Sequence, residues 1–181
     1  MSNGVTSADS ASSLFALNAV VELTGPDGVR RLPIADYYAG PGKTVRQHSE
    51  ILTAIRIARA DYENYGGHYI KYGKREAMEI ATLGCAVCVK LTEDKRRVDD
   101  LRVAFGVAAP IPMRCHETES KAKGMALDAD LLDAVSQGVL AEVKPRDSWR
   151  ASRAFRLQLV SELSRRALSR AITFAGGEIH A

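Results

Sequence analysis

The sequence predicts an α+β protein, because segments with strand-like patterns come first and segments with helix-like patterns follow. Apolar residues alternate with other residues over 82–91 and 98–107, which is typical of strands with one buried face. Apolar residues at three- and four-residue spacing over 128–143 and 152–175 indicate two helices. A chain of 181 residues with 46% hydrophobic and 26% charged residues has the composition of a globular protein. A fibrous or mainly disordered chain is therefore excluded.

The first third of the chain predicts a loop followed by three strands. Residues 4–13 are almost all small or polar and are interpreted as a loop. Residues 18–23 and 29–34 are predicted strands, and the Gly-Pro-Asp-Gly turn at 25–28 joins them into a hairpin. Residues 50–58 predict a third strand. The apolar residues expected on one face of this strand are Ile51, Ile55 and Ile57.

A polar, turn-rich connector at 61–67 is the best candidate for a domain boundary. It divides the chain into units 1–64 and 65–181. The second unit opens with a short strand at 68–72, and a turn at 92–95 joins the two alternating strands into a hairpin. Because each alternating strand is apolar on one side, we expect a three-stranded antiparallel sheet that is covered on one face.

Two predicted helices supply the cover for this sheet. The first ends just before Pro145, which cannot continue a helix. The second ends at Gly176-Gly177, a typical helix C-terminus. The apolar positions along the second helix are Phe155, Leu159, Leu163, Ala167, Ala171 and Ala175.

Two short motifs suggest chemistry that their surroundings do not support. Gly42-Lys43-Thr44 is similar to the end of a phosphate-binding P-loop, but Tyr37 stands where that motif needs a glycine. A structural turn is the favoured interpretation. Cys85 and Cys88 have the spacing of redox and zinc motifs, yet residues three apart on a strand point to opposite faces. We therefore interpret both as buried structural cysteines.

Neither a catalytic centre nor a metal site is predicted. The four histidines are scattered, and no nucleophile and base can be paired with them. Three cysteines, an odd number, argue against a disulfide scaffold and favour the reducing cytoplasm. No apolar run approaches the roughly 20 residues that span a bilayer, so no membrane contact is expected. The histidines are His48, His68, His116 and His180.

Positive charge is concentrated in residues 144–170. Eight basic residues stand there against Asp147 and Glu162, which gives this segment +6 and leaves −3 for the rest of the chain. Nucleic-acid binding is one interpretation, but the segment matches no known reading motif. A solvated helix face or a docking surface for a protein partner is favoured. The basic residues are Lys144, Arg146, Arg150, Arg153, Arg156, Arg165, Arg166 and Arg170.

Five stretches, read in order, resemble one protein family. They are Asn3-Gly4-Val5-Thr6-Ser7-Ala8-Asp9-Ser10-Ala11, Glu50-Ile51-Leu52, Lys71-Tyr72-Gly73-Lys74-Arg75-Glu76-Ala77-Met78-Glu79-Ile80-Ala81, Ala104-Phe105-Gly106-Val107-Ala108-Ala109-Pro110-Ile111-Pro112-Met113-Arg114 and Pro145-Arg146-Asp147-Ser148-Trp149-Arg150-Ala151-Ser152. The sequence resembles the FAD-binding medium subunit of the xanthine dehydrogenase and molybdenum hydroxylase family. The first stretch is similar to its second flavin loop, and the third is similar to the basic loop beside the flavin ring. The last is similar to the bacterial xanthine dehydrogenase version in particular.

The resemblance implies the end of a PCMH-type FAD-binding domain, followed by a C-terminal domain of antiparallel sheet and helices. It implies a subunit that works between an iron–sulfur subunit and a molybdopterin-binding subunit. Electrons from a purine oxidised at molybdenum would pass through [2Fe–2S] clusters to FAD and then to NAD. In such proteins the chain positions the cofactor and tunes its electronics. That role agrees with the lack of a predicted catalytic residue.

The resemblance also assigns five candidate FAD-binding residues. Asp9 would accept hydrogen bonds from ribityl or ribose hydroxyls, with a turn or N-cap aspartate as the alternative. Leu52 would line the cofactor, unless it is simply a core residue. Lys71 would stabilise the reduced, anionic flavin, with a strand lysine reaching toward solvent as the alternative. Asn3 and Thr6 would hydrogen-bond the pyrophosphate or the ribityl chain.

The sequence departs from the family pattern at the start of the chain. Family members carry a glycine-rich pyrophosphate loop in an earlier subdomain, and their second flavin loop begins Gly-Gly-Asn. This sequence starts at Met1-Ser2-Asn3. We therefore expect the C-terminal portion of an oxidoreductase subunit, which alone is inactive and binds FAD weakly or not at all. The alternative is a non-catalytic assembly module that docks partners without holding flavin.

Overall fold

Strands fill most of the first two thirds of the chain and helices the last third, as the apolar patterns predict. The computed structural model describes residues 2–75 and 77–180. The strands are β1 (Val20–Gly25), β2 (Gly28–Pro33), β3 (Tyr38–Gly40), β4 (Lys43–Thr44), β5 (Ile51–Arg56), β6 (Tyr65–Tyr72), β7 (Leu83–Leu91), β8 (Val98–Gly106) and β9 (Met113–Arg114). The helices are α1 (Asp9–Ala16), α2 (Ile34–Tyr37), α3 (His116–Ala122), α4 (Ala129–Glu142) and α5 (Arg153–Phe174). The α+β class is confirmed.

A small antiparallel sheet in the order β2-β1-β5 confirms the predicted hairpin and third strand. The predicted face of β5 is partly wrong, because the register between β1 and β5 shifts by one residue midway. Ile55 pairs with the buried Val21, and Leu52 pairs with the buried Leu23. Such a bulge reverses the alternation of faces along a strand. Ile51 therefore lies on the outer face, with 69% of its surface exposed.

The larger sheet is antiparallel in the order β6-β7-β8-β9. Its three long strands are those predicted, and the two-residue β9 adds a short fourth strand. The connector predicted at 61–67 is partly wrong, since Tyr65, Gly66 and Gly67 begin β6. The alternating apolar side chains of β7 and β8 enter one core with α4 and α5, as predicted.

The expectation that this sheet is covered on one face is wrong. Ala86, Cys88 and Ala104 lie on its second face and pack in a separate cluster with Ala11 and Phe15 of α1. Small side chains allow a helix to approach closely, but they give a weak apolar pattern in the sequence. The loop predicted at 4–13 is wrong for the same reason, because its second half is the start of α1 and is fixed by tertiary packing.

The helix boundaries follow from capping residues. The Asp128 carboxylate accepts the backbone N–H of Leu131 at 3.0 Å and caps α4, and the Ser152 hydroxyl accepts that of Phe155 at 3.2 Å and caps α5. Gly176 follows α5 with φ +83°, the left-handed conformation expected after a helix. Among the residues that the structure describes, no helix has the length and apolarity needed to cross a membrane.

The structure confirms that Cys85 and Cys88 face opposite sides of the sheet, since each packs in a different apolar cluster. Cys115 is also buried and free. Burial raises the pKa of Cys85 and of Cys115 far above the usual thiol range, and raises the pKa of Cys88 to about 11.

Because the thiolate is the reactive form, all three thiols are expected to resist a thiol-specific reagent in the native protein at pH 8. The measurement is labelling by a chromogenic disulfide with and without urea, in which unfolding releases three equivalents. Rapid labelling of the native chain would contradict the burial of these cysteines.

Candidate functional site

A cavity of about 390 Å³ lies where the N-terminal loop meets the far end of the larger sheet. Its volume is within the range of roughly 300–1,000 Å³ that is usual for ligand sites. One wall comes from residues 5–7 and the turn at 41–42, and a second from Ile80 and Ala81. The third is basic, and its charged residues are Lys144, Arg146, Arg150 and Arg156.

The N-terminal loop is fixed by contacts with both parts of the chain. Gly4 has φ +70°, and a Cβ there would lie 2.9 Å from the backbone nitrogen of Lys43. A hydrogen bond holds the two segments at this short distance, because the Gly42 N–H in the turn at 41–42 donates to the Gly4 carbonyl at 3.0 Å. The Thr6 hydroxyl donates to the Pro110 carbonyl at 2.9 Å. Thr6 therefore lines the cavity with a fixed hydroxyl oxygen.

Asp9 and Lys71, which are 62 positions apart in sequence, meet beside this loop. The Lys71 Nζ lies 2.7 Å from the Asp9 Oδ2 and donates to the Glu79 carbonyl at 2.6 Å. Asp9 is the first residue of α1, where a negative charge is favourable, and Ala8 is the N-cap. An ammonium group has three N–H donors, so Lys71 keeps one for a further acceptor.

Tyr69 lies near this pair, and no pattern in the sequence singles it out. It shares a face of β6 with Lys71, because residues two apart on a strand point the same way. Its hydroxyl is buried and has no hydrogen-bond partner among the described residues. Burial and the nearby Asp9 charge raise the pKa of Tyr69 to about 12. A neutral hydroxyl without a partner beside an ammonium and a carboxylate suits a polar ligand.

The remaining predicted site residues lie elsewhere or make local contacts. Leu52 lies on β5 opposite Leu23, packs against the smaller apolar cluster and is not among the described residues that line the cavity. The Asn3 side-chain oxygen accepts the backbone N–H of Val5 at 3.4 Å. The FAD-binding roles of both residues stay predictions.

The loop after β6 closes on itself through Glu79. Its carboxylate accepts the backbone N–H of Arg75, and the Arg75 side chain donates to the Met78 carbonyl at 2.9 Å. Met78 has φ +53° and is 95% exposed. Glu76, part of the stretch that resembles the flavin-side loop, lies outside the described residues. The loop therefore holds Lys71 through the Glu79 carbonyl and presents Met78 to solvent.

Val107 lines the cavity in a strained conformation. Its φ of +69° is unusual for a β-branched residue and costs on the order of 1–3 kcal/mol. The next residue, Ala108, accepts the backbone N–H of Lys144 at 2.9 Å, which ties this corner to the basic wall. Strain of this kind often marks a functional site, and nothing in the sequence predicts it.

Arg156 is an exception to the interpretation of the basic segment as a solvated helix face or a docking surface. Its side chain is only 2% exposed and lines the cavity. The guanidinium donates to the Thr82 carbonyl at 3.3 Å, to the Ala151 carbonyl at 3.3 Å and to the Ser148 hydroxyl at 2.8 Å. It also donates to the Arg146 carbonyl. Burial lowers the pKa of Arg156.

Comparison with known protein families gives two matches. Residues 68–171 match the family described as the CO dehydrogenase flavoprotein C-terminal domain. Residues 1–60 match the family described as the FAD binding domain in molybdopterin dehydrogenase.

Curated relatives agree with these matches. The chain is 43% identical to the xanthine dehydrogenase FAD-binding subunit of Escherichia coli O157:H7, over 98% of this chain and 60% of the relative. It is 31% identical to the carbon monoxide dehydrogenase medium chain of Afipia carboxidovorans, over 93% of this chain and 57% of the relative. The chain thus spans about three fifths of the length of the curated relatives that it matches.

Solved structures share the fold. Reconstituted CO dehydrogenase from Oligotropha carboxidovorans superposes with a TM-score of 0.85 at 29% identity, covering 96% of this chain and 59% of that one. Quinoline 2-oxidoreductase from Pseudomonas putida 86 superposes with a TM-score of 0.86 at 18% identity, covering 96% and 59%. The second likeness concerns the fold alone.

Proposed function

The chain belongs to the family of FAD-binding medium subunits of xanthine dehydrogenases and related molybdenum hydroxylases, and we propose that it forms the C-terminal part of such a flavin site. In this proposal the iron–sulfur and molybdopterin-binding subunits are its partners. Electrons reach FAD from [2Fe–2S] clusters and leave to NAD. The units 1–64 and 65–181 correspond to the end of the FAD-binding domain and to the C-terminal domain.

The observation that carries the proposal is the ion pair of Lys71 and Asp9, with the Tyr69 hydroxyl near Asp9 and without a partner among the described residues. These three residues do not line the cavity themselves, but Asp9 follows the loop at 5–7 that forms one of its walls. A free ammonium donor suits the electron-rich edge of a flavin ring. A carboxylate and hydroxyls suit the hydroxyls of its ribityl chain. The residues present therefore fit FAD.

FAD, when bound, supplies the ability to accept electrons and to pass them on as hydride. The residues of this chain position it and adjust its charge. Lys71 places positive charge where reduction adds negative charge, and Asp9 holds Lys71 in place. Asn3 and Leu52 complete the proposed set of contacts. The three buried, free cysteines suit a reducing compartment, and we place the protein in the cytoplasm.

Flavin content tests the proposal. The protein is purified alone with excess FAD and, separately, as a complex with a chain that supplies the earlier FAD subdomain and with the iron–sulfur and molybdenum partners. We expect flavin in the complex and little in the chain alone, because the chain spans about three fifths of its relatives and the rest would complete the site. A complex that assembles without any flavin would contradict the proposal and favour a purely structural docking role.

Removing the charge of Lys71 is expected to weaken flavin binding. A charge-assisted hydrogen bond contributes about 1.5–3 kcal/mol, so Lys71→Gln should raise the FAD dissociation constant of the complex by about tenfold or more. The measurement is the amount of flavin that the complex retains after dialysis at a series of decreasing protein concentrations. Lys90→Gln is a matched control, since Lys90 is similarly exposed and pairs with Asp99 at 3.0 Å. Equal retention by both variants would exclude Lys71 from the flavin site.

A further inference from the structure

We propose that the basic wall of the cavity, formed by Lys144, Arg146, Arg150 and Arg156, is a subsite for the diphosphate group of a nucleotide. Its anion-binding chemistry stands on the geometry of the wall alone. The identity of the nucleotide rests on the proposed function, because FAD and a dinucleotide electron acceptor both carry a diphosphate.

The charge of the wall is not neutralised within the chain. In the part of the chain that the structure describes, no salt bridge joins any of its four cations to a carboxylate. The nearest acidic residue in sequence, Asp147, accepts the backbone N–H of Arg153 at 2.7 Å and so serves the N-terminus of α5. Four cations line the cavity and Asp147 is the one carboxylate among the described residues that acts electrostatically on Arg156, so the wall keeps a net positive potential that favours a multiply charged anion.

Arg156 gives this wall a fixed donor. A guanidinium has five N–H groups, and four hydrogen bonds to the chain hold Arg156 in one orientation. A buried cation that forms no salt bridge among the described residues is costly, and an anion in the cavity would offset that cost. The Ser148 hydroxyl already accepts from Arg156 and from the Arg150 backbone, so its own O–H is available to donate.

Trp149 indicates that the anion is part of a nucleotide. The indole is 83% exposed, which is unusual for the largest apolar side chain. The Arg150 guanidinium, which lines the cavity, stacks over the ring at 4.4 Å from its centroid. Trp149 itself is not among the described residues that line the cavity, but it stands between Ser148 and Arg150, which do. An aromatic base stacked on such a ring gains about 1–3 kcal/mol. Arginine forks bind phosphate groups with two parallel hydrogen bonds, so stacking and charge together select a base joined to a diphosphate.

The chain's single tryptophan makes the test specific to this place. Trp149 fluorescence is followed at low salt while pyrophosphate or ADP is added to the protein. We expect a saturable change with both, and tighter binding of ADP because its base can stack on the ring. The absence of any saturable change with either probe would overturn the proposal.

Variants separate the subsite from non-specific charge. Arg146→Gln leaves the stacked pair of Trp149 and Arg150 intact and should weaken ADP binding about tenfold, as the loss of one charge-assisted hydrogen bond predicts. Arg166→Gln is the control, because Arg166 is exposed on the same helix as Arg156 and pairs with Glu162 at 2.5 Å. Equal weakening by both variants would show that the chain's overall charge, and not the wall, attracts ADP.

A competition experiment in the purified complex distinguishes the two sources of the diphosphate. If FAD-loaded complex still binds ADP at Trp149, the wall serves a second nucleotide such as the electron acceptor. If bound FAD abolishes ADP binding and FAD-free complex restores it, the wall holds the diphosphate of FAD. ADP binding by a complex that takes up no flavin would support the subsite while contradicting the proposed flavin function, so the two failures are distinguishable.

Discussion

Replacing Gly66 with alanine is expected to lower the free energy of unfolding by about 3 kcal/mol, the upper part of the usual range for overpacking. Gly66 is buried in β6, where the sheet meets α5. A Cβ at this position would overlap the carbonyl oxygen of Ala171 and the backbone nitrogen of Ala175, and would lie 2.8 Å from the Cβ of Ala175. Because the first two atoms belong to backbone, no rotamer change relieves the overlap and the helix must shift.

The neighbouring glycine provides a matched control. A Cβ at Gly67 would find its nearest atom, the Sγ of Cys88, at 3.5 Å, an ordinary van der Waals distance. Gly67→Ala should therefore change stability by less than about 1 kcal/mol. Urea denaturation followed by circular dichroism measures both variants. A similar loss in the two would show that the glycines matter for backbone flexibility and not for the approach of α5.

These two glycines lie in a strand that the sequence pattern alone does not predict. A Gly-Gly pair in a polar stretch predicts a connector, yet both residues lie within β6 because α5 needs a strand without a side chain at Gly66. By contrast, β7, β8, α4 and α5 were predicted to within two residues at each end. The long apolar periodicity that identifies these elements depends only on the order of neighbouring residues in the sequence. The bulge in β5 and the packing of α1 depend on partners distant in sequence.

The candidate site was predicted in the same uneven way. Resemblance to the family names Asp9 and Lys71 separately, but their contact joins a helix and a strand that only the fold brings together. The conformation of Val107 has no counterpart in the sequence. Arg156 could have been found, because it lies four positions before the buried Val160 on the face of α5 that continues to Ala167. Its charge favoured a solvent-exposed interpretation that the helical period contradicts.

The second large effect is expected from Arg156→Met. Methionine keeps much of the side-chain volume, but the Thr82 and Arg146 carbonyls lose the donor that Arg156 gives them. The Ala151 carbonyl keeps the Ser148 N–H, and the Ser148 hydroxyl keeps the Arg150 N–H. Each buried acceptor left without a partner costs about 1–3 kcal/mol. Removing a buried charge that forms no salt bridge among the described residues recovers part of that cost. The net loss in the free energy of unfolding should be about 3 kcal/mol, and urea denaturation measures it.

Two comparisons separate the hydrogen bonds of Arg156 from its charge. Arg156→Lys keeps the charge but replaces the five-donor fork with a smaller ammonium group, so it should retain less than half of the lost stability. Arg166→Met on the exposed face of α5 removes the pair with Glu162 and should cost less than about 1 kcal/mol. If Arg156→Lys is as stable as the unmodified chain, charge alone is what the cavity wall requires.

A ligand that binds only the folded state raises the free energy of unfolding. ADP should therefore stabilise the unmodified chain more than Arg156→Met, which would link the stability of this corner to the anion subsite.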